Sequence, residues 1–219
     1  ACSIAAEGYF RESGKIAPVC VTGGPGATNA ITGVFGAYVD SIPMFVISGQ
    51  AKRETTVWST NLPLRQLGDQ EVQITDSIKT MTKYAKMITD PRSIRKEMEK
   101  AWFLMLNGRP GPVWIDIPGD VASTVVETDE LDAFDEQAYI DENWASYYQE
   151  NPSYRKEDTE YLLKKVAEAK HPVILAGTAI RHANQQRTLI QAVEKLGIPV
   201  VTAWDAHDII WDSHPMYCG

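Results

Sequence analysis

The sequence is short of cysteine, of positive charge and of long apolar runs, and each shortage excludes something. Its three cysteines, Cys2, Cys20 and Cys218, are far apart and odd in number, so neither a disulfide framework nor a zinc site is expected. Cys20 lies in an apolar run and reads as a buried small hydrophobe. Lys and Arg number 21 against 29 Asp and Glu, a net charge of −8. Phosphate recognition needs a concentrated basic surface, so nucleic acid is not an expected partner. No run approaches the roughly 20 apolar residues of a membrane span, and the charged-then-apolar order of a signal peptide is missing. The expectation is a cytoplasmic protein with no membrane partner.

What is present is an ordinary globular composition, 44% hydrophobic and 23% charged, in 219 residues. That is enough chain for one large domain or one and a half smaller ones, with a core that needs no staples. The chain opens at Ala1 inside a helical pattern and stops at Gly219 without a tail, so neither end reads as a natural terminus.

Apolar positions at helical spacing over 1–13 end at Gly14, a fitting C-terminal stop. Ala17 to Thr22 reads as a short buried strand, Gly23 to Gly26 as a turn, Ala27 to Val39 as a small-residue helix, and Pro43 to Ser48 as a second strand. Strand, turn, helix, strand is a βαβ unit, which predicts parallel strands and a right-handed crossover. Gln50 to Gln70 lacks periodicity and reads as a long loop, a length uncommon in compact domains unless functional. A short helix over Val72–Met81, a strand over Lys83–Ile88, an amphipathic helix from Pro91 to the Asn107-Gly108 stop and a strand over Pro112–Ile117 follow.

Residues 120–150 hold ten acidic residues and neither Lys nor Arg. This reads as a solvated linker. Beyond it a new α/β unit begins: a helix capped near Asp158 and Thr159, a strand over Pro172–Ala176, a helix over Asn184–Leu196 stopped by Gly197, and a strand over Ile198–Thr202. The expected domains are therefore 1–122, a linker over 123–155, and the start of a second domain over 156–219.

The sharpest local feature is Thr22-Gly23-Gly24-Pro25-Gly26-Ala27-Thr28-Asn29, set between a strand and a helix. Glycine lets a ligand approach the main chain, and the end of a parallel strand is where α/β sheets bind ligands. Taken alone, the same residues also make an ordinary tight connection. They are not the G-x-G-x-x-G dinucleotide pattern, because residue 29 is Asn.

Set in order, Ala5-Ala6-Glu7-Gly8-Tyr9, Ser13-Gly14-Lys15, Thr22 to Asn29, Asp40-Ser41-Ile42-Pro43 and Ser48-Gly49-Gln50 resemble the pyrimidine-binding domain of the acetolactate synthase family of thiamine-diphosphate enzymes. Gly108-Arg109-Pro110-Gly111-Pro112-Val113 and Asp116-Ile117-Pro118 resemble the segment closing that domain. His171 to Gly177 and Leu196 to Val200 resemble the family's central domain. The resemblance implies an internal piece of such an enzyme, with a parallel sheet flanked by helices followed by the start of a second, Rossmann-like α/β domain. It implies thiamine diphosphate and Mg2+ as cofactors, with flavin dinucleotide (FAD) left open. It also implies a 2-keto acid substrate such as pyruvate, and a homodimer or homotetramer whose active site lies between subunits.

Residue by residue, the resemblance places Gly24, Pro25 and Asn29 near the cofactor's pyrimidine. Gln70 matches a glutamine that reaches the partner subunit's active site, and Arg109 an arginine that contacts flavin. No metal ligand is expected here, since the family's magnesium ligands belong to a later domain. The family's catalytic glutamate would fall before Ala1, so this chain alone is expected to be inactive. Departures from the pattern are Gly119 where a lysine is usual, the reduced turn Gly177-Thr178-Ala179, and Ala203 to Asp208 in the later flavin stretch. The loop Lys52 to Thr56 and Leu64 to Asp69 looks more like relatives in cell-surface sugar pathways, where the acceptor is a keto sugar. A non-catalytic nucleotide- or flavin-binding module is the reading from another class.

Overall fold

A computed structural model describes residues 1–145 and 155–219, which divide into two units, Ala1–Trp144 and Ala145–Gly219. In the first unit β1 (Pro18–Val21), β2 (Met44–Gln50), β3 (Tyr84–Met87) and β4 (Pro112–Pro118) form a parallel sheet in the order β1-β2-β4-β3. The central strands are continuous apolar runs rather than alternating ones because both faces of the sheet are covered. Met44, Val46, Val19 and Trp114 pack with Ala27, Ala30, Val34 and Ala37 of α2 (Pro25–Val39) and with Ile74 and Ile78 of α3 (Ile74–Ile78). Phe45, Val113 and Ile115 form a separate core with Ala101 and Met105 of α4 (Ile94–Leu106). The expected fold class, a parallel sheet flanked by helices, is the one observed.

Two details of sequence set this packing. The αL conformation of Gly14, φ 67°, ends α1 (Cys2–Ser13), as its position predicts. In α2, Gly33 lets α1 approach: a Cβ there would lie 2.5 Å from Ser3 Oγ and 2.7 Å from the Ile4 amide nitrogen. Cys20 departs from expectation and is exposed. It sits on β1, an edge strand whose outward-pointing positions, Pro18 and Cys20, are left uncovered.

The acidic stretch packs on the first unit as far as Trp144. After α5 (Gly119–Ala122) the chain returns to α4 and forms α6 (Glu136–Asn143), capped by the Asp135 carboxylate, which accepts from Ala138 N at 2.9 Å. Phe134, Tyr139 and Trp144 surround the Phe103 ring at centroid distances of 5.6, 6.0 and 5.3 Å. Glu99 accepts from Phe134 N at 2.8 Å, and this bond, then Arg95, holds the Glu99 carboxyl below the usual carboxylate range. So within the span 123–155 expected as linker, residues to Trp144 cluster with the first unit. Residues 146–154 of that span lie outside the described residues.

The second unit contains α7 (Lys156–Glu168), β5 (Ile174–Ala176), α8 (Ala179–His182), α9 (Gln186–Leu196) and β6 (Val200–Thr202). β5 and β6 pair in parallel, Ile174 opposite Val200. The core is Ala176, Val193, Val200, Ala206, Ile209 and Ile210. The expected cap of α7 at Asp158 or Thr159 falls inside the helix, whose N-cap is Arg155. Asp158 instead lies in the first turn, where the helix dipole favours a carboxylate.

Candidate functional site

The register of the sheet brings the carboxyl ends of β1, β2 and β4 together, Val21 opposite Ser48 and Gln50 opposite Pro118. The glycine corner turns the chain from β1 into α2 at this edge. Gly24 is the N-cap of α2, with φ 55° and ψ −115°, backbone angles that only glycine adopts freely. Pro25 follows at N1, where its missing N–H costs no helical bond. Each glycine is also a steric necessity. A Cβ on Gly23 would lie 2.8 Å from the Gly49 carbonyl oxygen at the end of β2, and one on Gly24 would lie 2.3 Å from the carbonyl oxygen of Gln70.

Gln70 itself has φ 54°, a left-handed conformation unusual for a residue with a side chain. The long loop, with two short 3₁₀ turns at Arg53–Thr55 and Val57–Ser59, thus returns to the glycine corner at Gln70. Gly24 is buried there, whereas Gln70, Pro25 and Asn29 are exposed. The structure therefore brings together four of the five residues singled out from the sequence. The fifth, Arg109, precedes β4 and lies at the opposite end of the sheet. Its guanidinium donates to Ser41 Oγ at 2.6 Å and to the Val39 carbonyl at 2.9 Å, closing the C-terminal end of α2.

Polar residues beyond these five hold this edge. Glu71, buried, accepts from the amides of Val57, Leu67 and Gly68 at 2.7, 3.0 and 3.1 Å and from Gln73 Nε2 at 3.1 Å. Four N–H groups on one carboxylate fold the loop around it. Asp116 is fully buried in β4 and accepts from Ser48 Oγ at 2.5 Å and Gln50 Nε2 at 2.9 Å. Ser48 Oγ in turn accepts from Trp114 Nε1 at 2.7 Å. Burial pushes the Asp116 carboxyl up to about 6, against the opposing pull of Ser48 and Gln50. The signal for this network was an acid inside the apolar run Val113 to Ile117, since a buried carboxylate needs partners. At the start of the loop Arg53 binds Asp120 through both its amide (3.0 Å) and its guanidinium (2.6 Å).

Among the described residues no three His, Cys, Asp or Glu side chains group as a metal site, and no helix is long and apolar enough to cross a membrane. What this edge leaves exposed is the start of α2 at Pro25 and Asn29 and the flanking Gln70. In the second unit the segments that follow β5 and β6 bond to each other. Arg181 pairs with Asp208 and donates to the Asp205 carbonyl, and Thr202 Oγ1 meets His207 Nδ1 at 2.9 Å.

A parallel sheet with a glycine corner at its strand ends places that corner where α/β sheets bind ligands. Residues 1–77 match the thiamine pyrophosphate enzyme N-terminal TPP binding domain, and residues 159–219 match the thiamine pyrophosphate enzyme central domain. The chain belongs to the thiamine pyrophosphate (thiamine diphosphate) enzymes. Within them it is similar to acetolactate synthase large subunits. It is 35% identical over 217 residues to that of Lactococcus lactis, covering 98% of this chain and 34% of the relative. The figures for Corynebacterium glutamicum are 34% over 221 residues, covering 98% and 32%. The chloroplastic acetolactate synthase of Arabidopsis thaliana is 33% identical over 203 residues, covering 90% of this chain and 27% of that protein. The chain thus spans about a third of the length of the relatives it matches.

Proposed function

We propose that this chain is part of a thiamine-diphosphate-dependent carboligase of the acetolactate synthase kind, acting on a 2-keto acid such as pyruvate. The observation that carries the reading is the Gly24–Gln70 contact, which sets a main-chain corner and a glutamine side by side within the matched binding domain. In this reading Gly24 and Pro25 shape the corner beside the cofactor's pyrimidine, Asn29 adds a polar contact from α2, and Gln70 reaches the active site shared with the partner subunit. The bound cofactor, with Mg2+ held outside this chain's ligands, supplies the carbon nucleophile and electron sink for decarboxylation and two-carbon transfer. The chain's own residues position these partners and exclude water.

The active assembly is a homodimer or homotetramer in the cytoplasm. The 219-residue chain is inactive alone, because it spans only about a third of its relatives' length. No flavin step enters this reading. Arg109 bonds the end of α2, and in the second unit Arg181, on the helix after β5, pairs with Asp208 beyond β6.

Calorimetric titration of the longer, intact enzyme with thiamine diphosphate and Mg2+ tests the reading. Saturable binding is expected, and no heat would favour a flavin- or nucleotide-binding module instead. A product assay then separates acceptors. Rapid acetolactate formation from pyruvate alone supports the acetolactate synthase reading. Product only when a keto sugar is added moves the assignment to a sugar carboligase.

A further inference from the structure

The loop bearing Gln70 is held to itself by Glu71, but it is held to the sheet by another side chain. Gln50 is the last residue of β2. Its amide nitrogen donates in two directions, to the Val72 carbonyl and to Asp116 Oδ2, both at 2.9 Å, and its oxygen accepts from Ala51 N at 2.9 Å. Both amide protons and the oxygen are therefore used, so the side chain has one orientation.

The anchor below it is rigid. Asp116, Ser48 and Trp114 are each fully buried and joined in sequence by hydrogen bonds, so Gln50 is fixed from the core outward. Val72 lies two residues beyond Gln70 on the loop's return limb. At Gln70 there is no slack, because its carbonyl already fills the place of a Gly24 side chain and its φ is 54°.

We propose that Gln50 is a positioning residue for Gln70: by bridging buried Asp116 to the Val72 carbonyl, it fixes where the loop returns and hence how Gln70 meets the Gly24 corner. This rests on the reading of that corner as the thiamine site. Gln50 touches neither cofactor nor substrate in it. Its effect passes through Gln70 alone, and that makes the idea testable by non-additivity.

The experiment uses the intact enzyme and its pyruvate assay at saturating thiamine diphosphate. The variants are Gln50→Met, Gln70→Ala, the two combined, and Met105→Ala as a destabilised control in the α4 core. Methionine keeps the length of glutamine and removes its hydrogen bonds. Gln50→Met is expected to lower kcat by up to about a hundredfold, the scale of a displaced but present side chain. The combined variant is expected to be no slower than Gln70→Ala alone. Met105→Ala is expected to lower the thermal midpoint at least as far with kcat unchanged.

Multiplicative losses in the combined variant, an unimpaired Gln50→Met, or a Met105→Ala enzyme as slow as Gln50→Met would each overturn the proposal. A Gln70→Ala enzyme with wild-type kcat and cofactor affinity would instead sink the reading of the corner itself. That outcome is distinct from a slow Gln70→Ala enzyme beside a fast Gln50→Met one.

Discussion

Gly24 and Gln70 meet through their backbones: a Cβ on Gly24 would stand 2.3 Å from the Gln70 carbonyl oxygen and 2.8 Å from the Gln70 Cβ. The obstacle is main chain, so no rotamer change relieves it. Gly24→Ala adds a second cost, because φ 55° with ψ −115° strains any residue bearing a Cβ by about 1–3 kcal/mol. We expect Gly24→Ala to lose about 3 kcal/mol or more in stability and to weaken thiamine diphosphate binding together with it. Thermal melts and cofactor titration of the variant check this. A wild-type melting point would mean that the loop stands off the corner in solution.

Asp116 ties stability to pH. Its carboxyl is raised from 3.8 to about 6, so the folded chain holds this proton over a range where the unfolded chain has lost it. The contribution is therefore full below about pH 4 and is lost as pH rises through about 6. The total is about 3 kcal/mol. Urea unfolding at pH 4.5 and 7.5, for wild type and Asp116→Asn, isolates this contribution. The difference between the two proteins should narrow or reverse in favour of the variant at the higher pH. Parallel pH dependences would show that Asp116 titrates normally.

Glu71→Gln tests the organisation of the loop. Four N–H groups converge on the carboxylate, and an amide would turn its own NH2 toward some of them. Losing charge-assisted bonds and adding a donor clash should ease local opening by about 2 kcal/mol. Trypsin should then cut at the exposed Arg65 more than about tenfold faster, with the sheet core still protected. Unchanged cleavage would show that the loop is held by other contacts.

What could be read from the sequence followed local pattern. The apolar runs at Pro43–Ser48 and Pro112–Ile117 announced strands, and the glycine corner announced the strand end. The aperiodic stretch from Gln50 to Gln70 was legible as loop. What depended on long-range pairing was not legible. Gln50 and Asp116 are 66 positions apart and meet only because β2 and β4 are neighbours. Ten acidic residues masked Phe134, Tyr139 and Trp144, whose spacing fits neither the helical nor the strand period yet packs them on Phe103. Cys20 was read from its apolar neighbours, but burial on an edge strand depends on what covers its outer face.

Arg109 is where resemblance and geometry part. The family pattern makes it a flavin contact, while the fold gives it a structural task. α2 ends near Ser41, which has φ 60°, and its last carbonyls lack helical partners. Arg109 supplies one, donating to the Val39 carbonyl and at the same time to Ser41 Oγ. Because the guanidinium forks across two acceptors, lysine cannot replace it. Both Arg109→Ala and Arg109→Lys should therefore cost about 1 kcal/mol of stability. Neither should alter the flavin absorbance of the intact enzyme, which is expected to be negligible from the start. If the purified enzyme is yellow, and either variant bleaches it without lowering the melting point, then Arg109 serves the flavin and the α2 contact is incidental.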